Sequence, residues 1–252
     1  MIKNTVKEKL YNNIPQFGTF ISTNSPDIAE ICGLAGFDFV VIDMEHGYMN
    51  HTDITHLMRA ASSAGAMPIV RVTSNDETKI LRTLDCGAMG IHIPQINTPE
   101  QAKAAINYSK YAPMGNRGVA FHRANNYGLS DLISYMEEAN KETMIIFHCE
   151  SVESLNNIDE IASTPGLDCI IFGPYDMSMS MGMPGQVKTP EMEEAIAKML
   201  AACKKHGKIP GIFTSTAEDA KKRIDQGFLY MPVGMDCQII SRSYSQLIKE
   251  LR

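Results

Sequence analysis

The sequence has no surplus of basic residues and no long apolar run. Lysine and arginine total 23 against 29 aspartates and glutamates, so the chain lacks the basic surface that nucleic-acid-binding proteins need. No apolar run approaches the roughly 18 residues that span a bilayer, and residues 1–5 lead into polar residues instead of an apolar signal core. We therefore expect a cytoplasmic protein that binds neither nucleic acid nor membrane.

The cysteines form no C-x-x-C pair. Most of them lie inside apolar segments, which is typical of reduced, buried thiols in a cytoplasmic protein and not of a disulfide framework. The six are Cys32, Cys86, Cys149, Cys169, Cys203 and Cys237.

A repeated junction dominates the rest of the chain. At six places a helical pattern ends at a glycine, and a short β-rich apolar run follows within a few residues. Glycine suits the left-handed position that closes a helix, and an apolar run without alternation suits a parallel strand buried on both faces. The six glycines are Gly36, Gly65, Gly87, Gly166, Gly207 and Gly227.

Two further apolar runs complete a set of eight predicted strands. Amphipathic helices occupy most of the gaps, as at 27–34, 190–205 and 217–226, so the order predicts a single (β/α)8 TIM barrel over residues 1–252. A doubly wound open sheet is the alternative, but it would normally carry G-x-G-x-x-G after its first strand, and residues 19–24 do not match. The strands are expected at 16–21, 38–43, 68–72, 89–93, 144–149, 169–173, 209–213 and 229–233.

One gap, residues 94–141, is much longer than the others. It contains predicted helices near 99–110 and 130–140 and otherwise shows no strong period. A long connection of this kind predicts a functional loop over the barrel mouth.

Two acidic residues follow neighbouring predicted strands. Catalytic groups of such barrels lie at the carboxyl ends of the strands, so Glu150 and Asp176 should converge there. Two hard oxygen ligands, with room for water and substrate, suit Mg²⁺ or a similar divalent ion. The alternative is that each acid caps the helix after its strand.

A histidine and an arginine also lie at strand ends. His46 follows the second strand, and its ordinary pKa suits a general base that Asp43, Glu45 or Asp85 would orient. Arg71 is a cation in an apolar strand and needs an anionic partner. That partner is either a substrate carboxylate or enolate, or a structural salt bridge with Asp43 or Glu45.

Several segments, in order, closely resemble the HpcH/HpaI class II aldolase family, whose barrels are of the phosphoenolpyruvate/pyruvate-binding type. The segments are 37–47, 68–72, 113–118 and 173–178, and the likeness extends from residue 17 to 236. The resemblance implies a carbon–carbon lyase that forms the enolate of pyruvate or a related 2-oxo acid on a divalent metal, Mg²⁺ or else Mn²⁺ or Co²⁺. The enolate adds to an aldehyde, or is released from the product in the reverse reaction.

The resemblance also assigns roles to individual residues and predicts an assembly. Family members pack C-terminal helices between subunits, which here would use the segment after Asp236 in a homo-oligomer built on dimers, up to a hexamer. The implied roles are Glu150 and Asp176 as metal ligands, His46 as a base paired with Asp85, Arg71 at the enolate oxygen, and backbone amides around Tyr175 and Asp176 at the pyruvate carboxylate.

One position departs from the family pattern. His148 stands where the family usually has glutamine, and strand alternation points it into the site, where it would contact substrate or metal. The alternative function is that of the siderophore-pathway citrate synthase branch, which condenses acetyl-CoA with oxaloacetate without a metal. A third hypothesis is a barrel that binds a small acid and catalyses nothing.

Overall fold

Eight parallel strands form a closed barrel in the computed structural model, which describes residues 3–252. Each strand pairs with the next in sequence, and β1 pairs with β8 to close the sheet. The strands are β1 Gln16–Ile21, β2 Phe39–Asp43, β3 Met67–Arg71, β4 Gly90–Ile93, β5 Met144–Cys149, β6 Cys169–Phe172, β7 Ile209–Ile212 and β8 Tyr230–Met235.

Helices surround the barrel and cover it at one end. Gly207 and Gly227 follow two of these helices with left-handed backbone φ of 63° and 103°, as the glycine pattern predicts. The helices are α1 Thr5–Tyr11, α2 Pro26–Leu34, α3 His51–Ser63, α4 Glu77–Asp85, α5 Pro99–Ser109, α6 Leu132–Glu142, α7 Val152–Asn156, α8 Ile158–Ala162, α9 Pro174–Ser180, α10 Pro190–His206, α11 Ala217–Gln226 and α12 Asp236–Leu251.

The barrel interior changes from apolar to polar along the strands. Phe39, Val41 and Ile69 belong to an apolar cluster inside the barrel. Because side chains alternate along a strand, the next inward positions of β2 and β3 are Asp43 and Arg71, which the register places side by side. At the amino ends of the strands, helix α1 closes the barrel. The open, polar mouth therefore lies at the carboxyl ends.

The predicted barrel is confirmed, and the open-sheet alternative is wrong because β1 and β8 are hydrogen-bonded neighbours. Every strand boundary lies within two residues of its predicted position. The six cysteines are free; Cys86 is half-buried, Cys237 is exposed and the other four are buried. Within residues 3–252, no helix is both long and apolar enough to cross a bilayer.

The long gap contains α5 and α6 close to their predicted positions, together with an unpredicted 3₁₀ segment, Arg123–Gly128. Its first residues, including Gln95 and Asn97, line the barrel mouth. Arg117 and Tyr127, by contrast, line a different cavity beside α3 and α4. Most of this connection therefore packs against the outer helices instead of covering the mouth.

Candidate active site

Two adjoining cavities open at the carboxyl ends of the strands. The first, about 260 Å³, has apolar walls that include Phe20 and Phe213. The second, about 270 Å³, is lined mainly by polar side chains. His46, Glu150 and Asp176 line both cavities. The predicted base and both predicted metal ligands therefore surround one connected space.

Arg71 is held by two carboxylates at the floor of the first cavity. Its Nε and one terminal nitrogen donate to the two oxygens of Asp43 at 2.8 and 2.7 Å. The other terminal nitrogen forms an ion pair with Glu45 at 3.0 Å. The structural salt bridge weighed from the sequence is thus present with both acids. The guanidinium carries five N–H groups and Asp43 accepts two of them, so three remain to face Glu45 and the cavity that Arg71 lines.

Asp43 and Glu45 respond differently to the same guanidinium. Burial opposes ionisation of Asp43, but the hydrogen bonds from Arg71 and from the backbone N–H groups of Glu45 and His46 outweigh it, so its pKa lies below the usual value. Burial raises the pKa of Glu45, and the charge of Arg71 only partly offsets that effect. Asp43 is therefore the permanent counter-ion of Arg71.

Glu150 is oriented at both of its oxygens. One accepts the backbone N–H of Gln95 at 2.7 Å, and the other accepts from His148 Nδ1 at 2.9 Å. Gln95 has a left-handed φ of 56°, a strained conformation that aims its N–H at the carboxylate. Burial opposes ionisation of Glu150, but the hydrogen bonds from His148 and from the Gln95 N–H, together with the charge of Arg71, outweigh it and lower its pKa to about 2. Glu150 is thus an anion at neutral pH.

Gly173 leaves a space between the two predicted metal ligands. A Cβ atom built at Gly173 would lie 3.1 Å from Cβ and 3.4 Å from an oxygen of Glu150, and 3.8 Å from an oxygen of Asp176. The two carboxylates therefore surround a place that only glycine leaves open. Glu150 caps no helix, since Ser151 caps α7, and Asp176 lies inside the first turn of α9.

This acid pair fits a hard divalent cation. Its ligand atoms are carboxylate oxygens, which Mg²⁺ and Mn²⁺ prefer. Among residues 3–252 no group of three or more His, Cys, Asp or Glu side chains is arranged to hold a metal ion. Two protein ligands would leave the other coordination positions to water and to an oxygen-bearing substrate.

His148 points into the site, as its strand position predicts, but both of its ring nitrogens are engaged. Nδ1 meets Glu150, and Nε2 lies 2.9 Å from Nδ1 of His92 on β4. His92 Nε2 in turn lies 2.8 Å from the hydroxyl of Tyr230 on β8. The ring of His148 therefore supports Glu150, and any contact with substrate would use its exposed edge.

Asp85 does not share a cavity with His46 within one chain. It ends α4, accepts from Arg117 at 2.9 Å, and lines a separate cavity with His51 and Arg123. Within the chain, Asp85 is therefore hydrogen-bonded to Arg117 and not to His46.

Tyr175 stands at the rim of the first cavity, half exposed. Its hydroxyl makes one long contact, 3.3 Å, with Ser215. Tyr175 and Asp176 follow Pro174 in the first turn of α9, and no side chain caps that helix. No side chain therefore accepts their backbone N–H groups as a cap.

Three residues of the site escaped the sequence analysis. His92 lies on an inward position of β4, so its place in a strand was a usable signal. Gln95 acts through its backbone, which carries no side-chain signal. Tyr230 reaches His92 across the barrel from β8, a contact that no local pattern indicates.

Comparisons with known proteins agree with this architecture. The profile of the family described as HpcH/HpaI aldolase/citrate lyase matches residues 16–243. The 2-dehydro-3,6-dideoxy-6-sulfogluconate aldolase of Pseudomonas putida is 35% identical over 236 residues, covering 93% of this chain and 92% of that protein. The hydroxypyruvate/pyruvate aldolase of Paraburkholderia phytofirmans is 34% identical, covering 99% and 98%. The crystal structure of the citrate synthase SbnG, 34% identical, superposes with a TM-score of 0.89 over 97% of this chain and 96% of that one.

Proposed function

The chain belongs to the HpcH/HpaI aldolase/citrate lyase family and is an enzyme, a carbon–carbon lyase; we propose that it joins the enolate of pyruvate or a related 2-oxo acid to an aldehyde, or reverses that reaction. The observation that carries this proposal is the pair of carboxylates, Glu150 and Asp176, around the space beside Gly173, with Arg71 lining the same cavity. Because the chain belongs to an enzyme family, the third hypothesis, a barrel that binds a small acid without catalysis, is not favoured.

We propose Glu150 and Asp176 as the ligands of a divalent ion, Mg²⁺ or else Mn²⁺ or Co²⁺. When bound, such an ion polarises the 2-oxo group and stabilises the negative charge of the enolate. The low pKa of Glu150 keeps this ligand ionised at neutral pH.

The chain's own residues would bind and orient the 2-oxo acid. The N–H groups of Arg71 that Asp43 does not accept can donate to the enolate oxygen, in a site where burial strengthens each hydrogen bond. The backbone amides of Tyr175 and Asp176 can donate to the substrate carboxylate.

His46 lines both cavities and is the residue we propose as the base that moves the proton at the substrate carbon. Its pairing with Asp85 stays a prediction, because Asp85 is hydrogen-bonded to Arg117 within the chain.

The surface of α12 supports a homo-oligomer. Along this helix only Asp236 is buried, while apolar side chains such as Ile239, Tyr244 and Leu247 are exposed. Exposed apolar patches of this kind mark association surfaces. We propose that copies of the chain meet along α12 in dimers that can build assemblies up to hexamers.

The competing function is condensation of acetyl-CoA with oxaloacetate, favoured by the similarity to SbnG, which is described as a citrate synthase. In that reaction Arg71 would keep its role, and His46, His148 or Glu150 would act as acid and base without a metal. The aldolase reaction is preferred because Gly173 keeps the space between two carboxylates open. Thiol release from acetyl-CoA that needs oxaloacetate and is unchanged by EDTA would establish the alternative.

The direct test is exchange of the methyl protons of pyruvate in D₂O, followed by NMR. We expect exchange with Mn²⁺ or Mg²⁺ and a loss of at least about 10²-fold in EDTA or in Glu150→Gln. Glu153→Gln is the matched control, because Glu153 is an exposed glutamate on the helix that follows. Exchange that persists in EDTA and in Glu150→Gln would overturn the proposal.

A further inference from the structure

A row of four polar side chains crosses the interior of the barrel and ends at Glu150. Tyr230 reaches from β8 to His92 on β4, on the opposite wall, and His92 reaches His148 on β5. The three contacts measure 2.8, 2.9 and 2.9 Å from Tyr230 to Glu150. Tyr230 and His92 are fully buried, and His148 and Glu150 nearly so. Polar groups in such a place need defined partners.

The chemistry of the two ends sets the direction of these hydrogen bonds. An ionised carboxylate can only accept, so Nδ1 of His148 carries the hydrogen that meets Glu150. In a neutral ring Nε2 of His148 then accepts, so Nδ1 of His92 donates to it. Burial disfavours a second proton on His92 and holds its pKa well below the ordinary value, so its Nε2 accepts in turn. The hydroxyl of Tyr230 supplies that last hydrogen.

Hydrogen bonds running in the opposite direction, from His148 to His92 and on to Tyr230, agree less well with the chemistry of these groups. They would require a second proton on His148 and would turn His92 Nε2 into a donor toward Tyr230. Burial raises the pKa of Tyr230 well above its ordinary value, so the phenol keeps its hydrogen. That hydrogen would find no acceptor, since His92 is the only hydrogen-bond partner of this hydroxyl within residues 3–252.

We propose that Tyr230 and His92 are positioning residues, which hold His148 in the tautomer that carries hydrogen on Nδ1 and so keep the carboxylate of Glu150 turned toward Asp176. This inference rests on the proposed function, in which these two acids bind a divalent cation. A neutral histidine without a fixed tautomer can place a bare nitrogen lone pair against the carboxylate. An amide at position 148 would carry its own N–H at all times, so His92 matters only because residue 148 is histidine.

The tautomer can be measured in metal-free protein, independently of catalysis. Long-range ¹H–¹⁵N correlation spectra of histidine-labelled protein in EDTA distinguish hydrogen on Nδ1 from hydrogen on Nε2, and His148→Gln assigns the signals. We expect the Nδ1–H form for His148, and a mixture of forms in Tyr230→Phe. That variant keeps the ring, which stacks on Phe39 at 4.3 Å. An Nε2–H or doubly protonated His148 at pH 8 would overturn the proposal, as would an unchanged spectrum in Tyr230→Phe.

If Glu150 is no longer held in place, its affinity for a divalent cation should fall. This affinity is measured by titrating Mn²⁺ and following free Mn²⁺ by EPR. Loss of a residue that orients a ligand typically weakens metal binding about 10- to 100-fold, which we expect for His92→Leu. Adding His148→Gln to this variant should restore affinity to within about twofold of His148→Gln alone. Tyr111→Phe, at a buried tyrosine outside the site, is the control.

The outcomes separate the two proposals. Wild-type affinity in His92→Leu, or a double variant as weak as His92→Leu, would refute the positioning role. No binding of Mn²⁺ by the wild-type protein would refute the metal-dependent function instead, and the tautomer spectra would then decide the present inference alone. Circular dichroism confirms that each variant is folded.

Discussion

Replacing Arg71 by methionine should destabilise the whole barrel, because it strips Asp43 of its counter-ion. Asp43 is 0% exposed and both of its oxygens bind Arg71. Removing one partner of a buried ion pair costs about 3–5 kcal/mol, since the other charge stays buried without compensation. For a chain of this size the melting temperature should fall by roughly 10 °C. Loss of activity in Arg71→Met would therefore mix a catalytic effect with a stability effect.

A second substitution separates these effects. In Asp43→Asn/Arg71→Met the amide is neutral, and its oxygen can still accept the backbone N–H groups of Glu45 and His46. The double variant should regain about 2 kcal/mol or more of the lost stability while staying inactive. Lys205→Met, which breaks an exposed ion pair with Asp159, is the control and should cost less than about 1 kcal/mol.

The stability deficit of Arg71→Met should also depend on pH. In the wild-type protein the pKa of Asp43 is depressed, so its stabilising contribution is present above the unfolded pKa and is lost only as pH falls through the lower folded value. Without Arg71, burial should raise the pKa of Asp43. The deficit should then shrink on acidification, by at most about 1.4 kcal/mol per pH unit.

Urea unfolding followed by circular dichroism at pH 8 and pH 5.5 measures all three quantities. A deficit below about 1 kcal/mol in Arg71→Met would refute the reasoning. So would a double variant as unstable as the single one, or a deficit that does not change with pH.

Three further outcomes follow from the site and the surface. Gly173→Ala should weaken Mn²⁺ binding about tenfold with little loss of stability, because the new methyl group crowds Glu150 while the backbone φ of −99° suits alanine; unchanged affinity in the EPR titration would contradict this. In EDTA, the stability deficit of Glu150→Gln should be largest above pH 5 and vanish as pH falls toward 2, because the depressed pKa of Glu150 stabilises the fold only while the group is ionised; urea midpoints that differ equally at all pH values would argue against it. Leu247→Asp on α12 should reduce the mass measured by size-exclusion chromatography with light scattering, whereas identical masses for variant and wild type would exclude α12 as the interface.

The barrel itself was predictable because its signals are local. A glycine that ends a helix and a buried apolar run after it can be recognised within about a dozen residues, and eight such units leave few possible topologies. The acid pair was predictable for the same reason. Glu150 and Asp176 follow neighbouring strands, and parallel strands deliver their carboxyl ends to one edge.

The partners of these residues depended on register and on distance in the chain. The pairing of β2 with β3 sets Asp43 beside Arg71. From the sequence, Arg71 could contact either a substrate anion or a structural acid, and the structure shows that it forms a buried ion pair with Asp43. Asp85 shows the opposite case. Its carboxylate accepts from Arg117, in the long connection after β4, and not from His46, a contact that no local pattern indicates.

His148 shows what strand alternation predicts and what depends on contacts between distant strands. Alternation along β5 was enough to point it into the site. Its hydrogen-bond partners come from a strand more than fifty residues away and from its own strand end, with 56 and 2 residues of separation. The sequence determined which polar side chains reach the barrel mouth, because strand alternation is local. The closed barrel alone decided which of them touch, because it joins β4, β5 and β8 across the interior.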